Sequence, residues 1–195
     1  MKVLKKLTLI LTLVLFTLTL VACGPKPDET VKNFFEAAKK SDFNAMATYM
    51  KKEGNKGDFK FDDANQEKIV KAVFSKISYE SVSSTVDGNN ATVKAKVTSL
   101  DLPRIYGKTV GDLMPTLLAS AFSATENDAK NKADVENQIM QAFLNAMNDP
   151  NAAKTTTEVD IKLVKGDKGW VIEPNDDLLN ALTGNLSKAF KDTNK

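Results

Sequence analysis

Apolar and polar residues alternate twice in this chain with a strict period of two, a rhythm that only a half-buried strand can use. Ala91, Val93, Ala95 and Val97 interleave with Thr92, Lys94, Lys96 and Thr98, while Thr157, Val159, Ile161 and Leu163 interleave with Glu158, Asp160 and Lys162. Successive strand side chains point to opposite faces, so each run makes one dry and one wet face, as in an antiparallel sheet covered on one side. Each run also has a turn beside it. Asp87-Gly88-Asn89-Asn90 precedes the first, behind a weaker alternation of Val82, Ser84 and Val86 that starts near Tyr79. Lys165-Gly166-Asp167-Lys168-Gly169 follows the second and leads back through Trp170 and Ile172. Asp-Gly between alternating segments predicts a tight hairpin, because both residues tolerate positive φ. Two hairpins give at least four antiparallel strands.

The remaining segments carry a helical period. Val31, Phe34, Phe35 and Ala38 follow the start chemistry of Pro27-Asp28-Glu29. Phe43, Met46, Ala47 and Met50 follow Ser41-Asp42, with Gly54 beyond the end. Ile69, Val70, Val73, Phe74 and Ile77 follow a cap at Asp62 or Asp63, after a loop at Gly54-Asn55-Lys56-Gly57-Asp58. Between the hairpins lies a helical insertion of about 45 residues. Its first stripe is Val110, Leu113, Met114, Leu117, Leu118, Ala121 and Phe122, with Pro115 expected at a first turn or a kink. A polar stretch from Thr125 to Asp134 leads to a second stripe of Val135, Ile139, Ala142, Phe143, Ala146 and Met147, stopped by Pro150. A last helix starts at Asn175-Asp176-Asp177 and carries Leu178, Leu179, Leu182, Leu186 and Phe190, with Gly184 as a weak point. Helices first and hairpins later predict an α+β fold: an antiparallel sheet on N-terminal helices, a helical insertion and a C-terminal helix.

Residues 1–22 have a separate composition: Lys2, Lys5 and Lys6, no acidic residue, and a run from Leu7 to Val21 made only of Leu, Ile, Val, Phe and Thr. Such a run spans only about 22 Å as a helix, short of a hydrocarbon core of roughly 30 Å, and reads as the h-region of a secretory signal. It ends in Leu20-Val21-Ala22-Cys23, followed by Gly24. This tetrad resembles the lipobox of bacterial lipoproteins. The resemblance implies cleavage between Ala22 and Cys23 and a diacylglyceryl group on the Cys23 thiol, the chain's only cysteine. Two acyl chains anchor stably where one binds marginally. The expected organisation is a signal peptide over 1–22, a tether over 23–27 and one domain over 28–195. The expected location is the cell membrane, lipid-anchored and facing outside the cytoplasm.

Charge and composition narrow the chemistry. Removing 1–22, with its three lysines, leaves 173 residues with 24 Lys and Arg against 25 Asp and Glu, a net charge of −1. Nucleic acid is therefore not an expected partner, since phosphate binding needs a basic surface or stripe. The chain has no histidine, which removes the Ser-His-Asp and Cys-His nucleophiles and any imidazole ligand for zinc or haem. No cofactor and no metal is expected. Asp87-Gly88-Asn89-Asn90 reads as a turn rather than a calcium loop, and Gly166 and Gly169 lack the strand-to-helix context of a phosphate loop.

A second resemblance rests on Glu29-Thr30-Val31-Lys32-Asn33-Phe34-Phe35-Glu36-Ala37 and on Val159-Asp160-Ile161-Lys162-Leu163-Val164-Lys165-Gly166 with Gly169-Trp170-Val171-Ile172. These segments look like the nuclear transport factor 2-like, cystatin-like lipoproteins of Gram-positive bacteria. That likeness implies a sheet curved into a cone around the helices, a mouth able to hold a small hydrophobic ligand, and homodimers formed through the outer sheet face. The long insertion departs from the compact version of that fold.

Individual side chains point to structure more than to chemistry. Glu158 and Asp160 form the tidiest carboxylate pair, yet they share the strand face opposite Val159 and Ile161 and should meet water. Asp28, Asp62, Asp63, Asp176 and Asp177 stand where helices begin, where a carboxylate caps and complements the dipole. Trp170 with Tyr79 and Tyr106 could line a binding mouth, although a lone Trp on an alternating strand is more often core. The expectation is a non-catalytic binding or interaction module with a small hydrophobic ligand or a protein partner. Two alternatives stay open. One is a cone-fold enzyme, hydratase- or isomerase-like, using a buried carboxylate. The other is a peptide pheromone released from Leu15-Phe16-Thr17-Leu18-Thr19-Leu20-Val21-Ala22.

Overall fold

A computed structural model describes residues 25–51, 61, 63–123 and 129–187. The leader with Leu20, Val21, Ala22 and Cys23, the loop Gly54-Asn55-Lys56-Gly57-Asp58, Asp62, residues 125–128 of the polar stretch and Phe190 lie outside that set. The order of elements is α1 (Pro27–Lys39), α2 (Phe43–Thr48), α3 (Ala64–Ser75), β1 (Ser78–Asp87), β2 (Asn90–Leu100), α4 (Leu102–Ser123), α5 (Ala129–Asn148), β3 (Lys154–Gly166), β4 (Gly169–Ile172) and α6 (Asp176–Leu182). The strands form one open antiparallel sheet in the order β1-β2-β3-β4. The fold is α+β as expected, with helices before the sheet, two helices inserted between its hairpins and a helix after it.

Local chemistry sets the starts of these helices. Pro27 occupies the first turn of α1, where a missing N–H costs nothing, and Asp28 and Glu29 complement the dipole. The Asp42 side chain accepts from Ala45 N at 2.9 Å to begin α2, Asp63 from Asn65 N at 3.0 Å to begin α3, and Asn175 from Leu178 N at 2.8 Å to begin α6. The second helix stops at Thr48, so Met50 leaves the helical stripe and instead pairs with Ile172 in an isolated parallel bridge.

The dry face forms as its alternation requires. Ala91, Val93, Ala95 and Val97 of β2 and Val159, Ile161 and Leu163 of β3 are buried against Val31, Phe34, Phe35 and Ala38 of α1. On the other face Lys94 stands opposite Asp160 and Lys96 opposite Glu158. A second cluster gathers Ala72 and Val73 of α3, Leu100 at the end of β2, Leu102 and Ile105 of α4, and Leu144 and Met147 of α5. It sits at the root of the inserted helical arm.

Three expectations need correction. β1 has no dry face: its register shifts between Ser81 and Ser83, and Val82 and Val86 are 51% and 57% exposed. The bulge breaks the alternation on which the expectation rested, and an edge strand tolerates it. The β1–β2 turn is centred one residue later than Asp-Gly. Asp87 pairs with Asn90, and of the two residues between them only Gly88 has a positive φ, at 57°, the mark of a type II′ hairpin. Of the two places expected for Pro115, the first turn is excluded, for this residue lies inside α4, which begins back at Leu102. There Asp101 caps the helix, its carboxylate accepting from Arg104 N at 3.1 Å.

Candidate functional site

The four lipobox residues Leu20, Val21, Ala22 and Cys23 lie outside the described residues. What is described is the chain just after them. Lys26 is extended, with φ −69° and ψ 156°, and Pro27 is already buried at the start of α1. Pro25 is seated on the β3–β4 turn: a Cβ built on Gly169 would meet Pro25 Cγ at 3.2 Å and Cδ at 3.4 Å. Gly169 has φ 136°, so the absence of a side chain serves both the turn and this approach. Of the tether expected over 23–27, Pro25 and Lys26 are exposed, Pro25 with its ring close to Gly169, and Pro27 is buried.

Glu158 and Asp160 face solvent as expected. Lys94 Nζ stands 4.0 Å from Asp160 Oδ1, with both side chains about half exposed, a spacing worth little in water. Beside them runs an open cleft of about 360 Å³, lined by Lys94, Thr157, Glu158, Val159, Asp160 and Asp177. Its groups are charged and wet, unlike the enclosed, mainly apolar sites that hold small ligands. Farther along the same face Thr98 and Thr156 hydroxyls meet at 2.7 Å across the β2–β3 pair.

The three aromatic residues proposed for a mouth are not brought together. Tyr79 on β1 stacks on Phe35, with centroids 4.6 Å apart and planes 11° from parallel. Trp170, across the sheet on β4, is half-buried against the same core. Tyr106 belongs to the arm, edge-on to Phe143 at 5.9 Å. Strand order separates the first two and the insertion removes the third.

Among the described residues the buried polar side chains are Thr30, Ser99, Thr109 and Asn180. Thr109 donates to Ile105 O at 2.8 Å, and Ser187 donates to Asn180 Oδ1 at 2.7 Å. Thr30 Oγ1 and Ser99 Oγ are buried with no hydrogen-bond partner, and the buried Tyr79 hydroxyl has only the Ser81 hydroxyl near it, outside good bonding geometry. Also among the described residues, no three carboxylate or thiol side chains come together to hold a metal ion, and no helix is long and apolar enough to cross a membrane.

Burial pushes the Tyr79 phenol above its ordinary value of 10.0; the nearby Ser81 hydroxyl opposes the shift and the Asp28 carboxylate adds to it. The neutral phenol is therefore the form the folded state prefers. Its stabilising effect is complete below pH 10 and is lost as pH rises through the folded value, because the unfolded chain releases that proton first. In urea melts between about pH 9 and 11, Tyr79→Phe is expected to lose less stability than the parent chain. Equal losses would assign the alkaline effect to other groups.

Sequence reasoning missed one surface. Met114, Leu118 and Phe122, read as part of a helical stripe, lie on the outside of α4 and are 45%, 51% and 89% exposed. The signal was present: no charged residue occurs from Leu113 to Ser123. A helix apolar on more than one side has more apolar surface than a single partner helix covers.

No family model matches the chain, and none of the curated proteins does. Among solved structures it is similar to a protein of Bacillus subtilis subsp. subtilis str. 168, ycdA, provisionally described as a lipoprotein. The two share 17% identity with a TM-score of 0.40, over 80% of this chain and 46% of that one, so the chain spans about half the length of that protein.

Proposed function

We propose that the chain is a lipid-anchored, extracytoplasmic, non-catalytic interaction module, held at the cell membrane by a diacylglyceryl group on Cys23. The observation that carries this reading is the seat of Pro25 on Gly169. The chain runs close against the domain two residues after the cysteine and is buried by Pro27, as suits a domain held at the membrane by the lipid itself. The order of the leader supports it too: Lys2, Lys5 and Lys6, then the apolar run, then Leu20-Val21-Ala22-Cys23. The non-catalytic part rests on the sequence, which has no histidine and a single cysteine that the lipid takes up. The exposed apolar side of α4 supports an interaction role, since contiguous apolar surface marks contact sites.

Replacing Cys23 with alanine tests the anchor. The parent chain is expected to lack residues 1–22 and to carry the mass of a diacylglyceryl group. Cys23→Ala is expected to carry no lipid and to keep its leader, while a chain begun at Gly24 should appear in the soluble fraction. A Cys23→Ala chain with the same mass gain and the same membrane attachment as the parent would overturn the proposal.

A further inference from the structure

We infer that the β3–β4 turn is the end of the domain that rests on the lipid surface, with the root of the helical arm at the far end of the sheet. This rests on lipid attachment at Cys23 and adds which face the bilayer meets.

The argument is one of reach. A single residue, Gly24, separates Cys23 from Pro25. Two Cα–Cα steps of about 3.8 Å place Pro25 within about 8 Å of the lipidated residue. One headgroup layer is of comparable depth, roughly 5–8 Å. Pro25 touches Gly169, so Gly169 and its neighbours Asp167 and Lys168 must lie at the surface of that layer. The β1–β2 turn joins them there, because Lys165 N donates to Asn89 O at 2.8 Å. The chain cannot pivot at Pro27, which is buried, and the rings of Pro25 and Pro27 hold φ near −65°. At the other end of the sheet Leu100 pairs with Lys154, where α4 departs and α5 returns. The 13 residues of β3 join the two ends, about 40 Å of strand.

Charge does not set this orientation. Lys26, Lys165 and Lys168 at the lower end are offset by Asp87, Asp167 and nearby Glu29, all six exposed. Such a near-even set gives little preference for anionic headgroups. The bilayer surface is met because the tether is short.

Single thiols introduced by Lys168→Cys and by Asn151→Cys test the inference in the full, lipidated chain; both positions are exposed, and the lipid consumes the thiol of Cys23. Each is labelled with a small fluorophore and reconstituted into phosphatidylcholine vesicles carrying a headgroup nitroxide, with and without phosphatidylserine. Several-fold quenching at position 168 is expected, with little at 151 and no dependence on phosphatidylserine. Equal quenching at the two positions in lipidated protein overturns the orientation and leaves the anchor standing. Quenching at 168 that needs phosphatidylserine overturns the tether as its cause. A chain without the diacylglyceryl mass overturns both the anchor and the orientation.

Discussion

Gly184→Ala is expected to destabilise the domain by about 2–5 kcal/mol, from roughly 1–2 for a left-handed conformation and 1–3 for overpacking. Gly184 has φ 64°, and a Cβ there would fall 2.1 Å from Leu100 O and 2.8 Å from Asp101 Cα. Both are backbone atoms, which cannot step aside as a side-chain tip can. For a chain of this size each kcal/mol lowers the melting temperature by about 2–4 °C, so a fall of roughly 5–20 °C should be seen by circular dichroism. Gly88→Ala supplies the control. Gly88 also has positive φ, 57°, yet nothing lies within 4 Å of its added Cβ, so only the conformational cost of about 1–2 kcal/mol applies. Equal losses in the two variants would show that the contact with Leu100 is not close.

The size of that effect comes from where Gly184 sits. It is no weak point within a longer helix; it ends α6, with Asn185 N donating to Asn180 O at 2.8 Å in the six-to-one bond of a Schellman ending. The backbone it touches is the handover from β2 to α4. There Asp101 N donates to Ala153 O at 2.9 Å, and Asp101 O accepts from Ile105 N at 2.9 Å, starting the arm. Three separate pieces of chain, the end of β2, the approach to β3 and the close of α6, thus meet at one backbone crossing. Leu186, just beyond, packs on the cluster at the arm's root. A side chain at 184 pushes on all three pieces together.

That crossing also shows what was legible in the sequence and what was not. The dry faces of β2 and β3 and the buried face of α1 followed from period alone, because each is covered on one side by a single layer. The caps at Asp42, Asp63 and Asn175 were legible because capping is local. The exposure of Val82 and Val86 was not: a bulge depends on which strand lies beside β1, and β1 has a neighbour on one side only. Nor was the outward side of α4, since a helical stripe states that a face is apolar and not whether anything lies against it. The placing of Tyr79 and Trp170 on different strands was hidden for the same reason, as it needed the order of strands across the sheet, whereas the core reading of Trp170 agrees with its packing. Gly184 is visible in the sequence as a glycine, but its reason lies in a backbone more than 80 residues earlier. For the candidate site the balance is reversed. The lipobox is read wholly from sequence, and the structure contributes the seat of Pro25 and hence the length of the tether.

Phe35→Ala is expected to cost about 3–5 kcal/mol, a large share of the 5–15 kcal/mol that holds an ordinary domain. Phe35 is 2% exposed at the centre of the α1 face, edge-on to Phe34 at 5.3 Å and stacked on Tyr79 at 4.6 Å. Its ring lies flat on the one tyrosine whose phenol is shifted upward by burial. Removal therefore leaves a cavity and opens one face of a phenol whose proton burial holds more tightly. Two measurements separate these effects. In a double-mutant cycle with Tyr79→Ala, the stacked pair should contribute a coupling of about 0.5–1.5 kcal/mol beyond the loss of buried area. Strict additivity would mean that the rings merely occupy space. The alkaline loss assigned to Tyr79 should also shrink in Phe35→Ala, because a phenol open to water titrates near its ordinary value in both states and no longer links proton release to unfolding. Persistence of the full loss in that variant would place the burial of Tyr79 on its other neighbours.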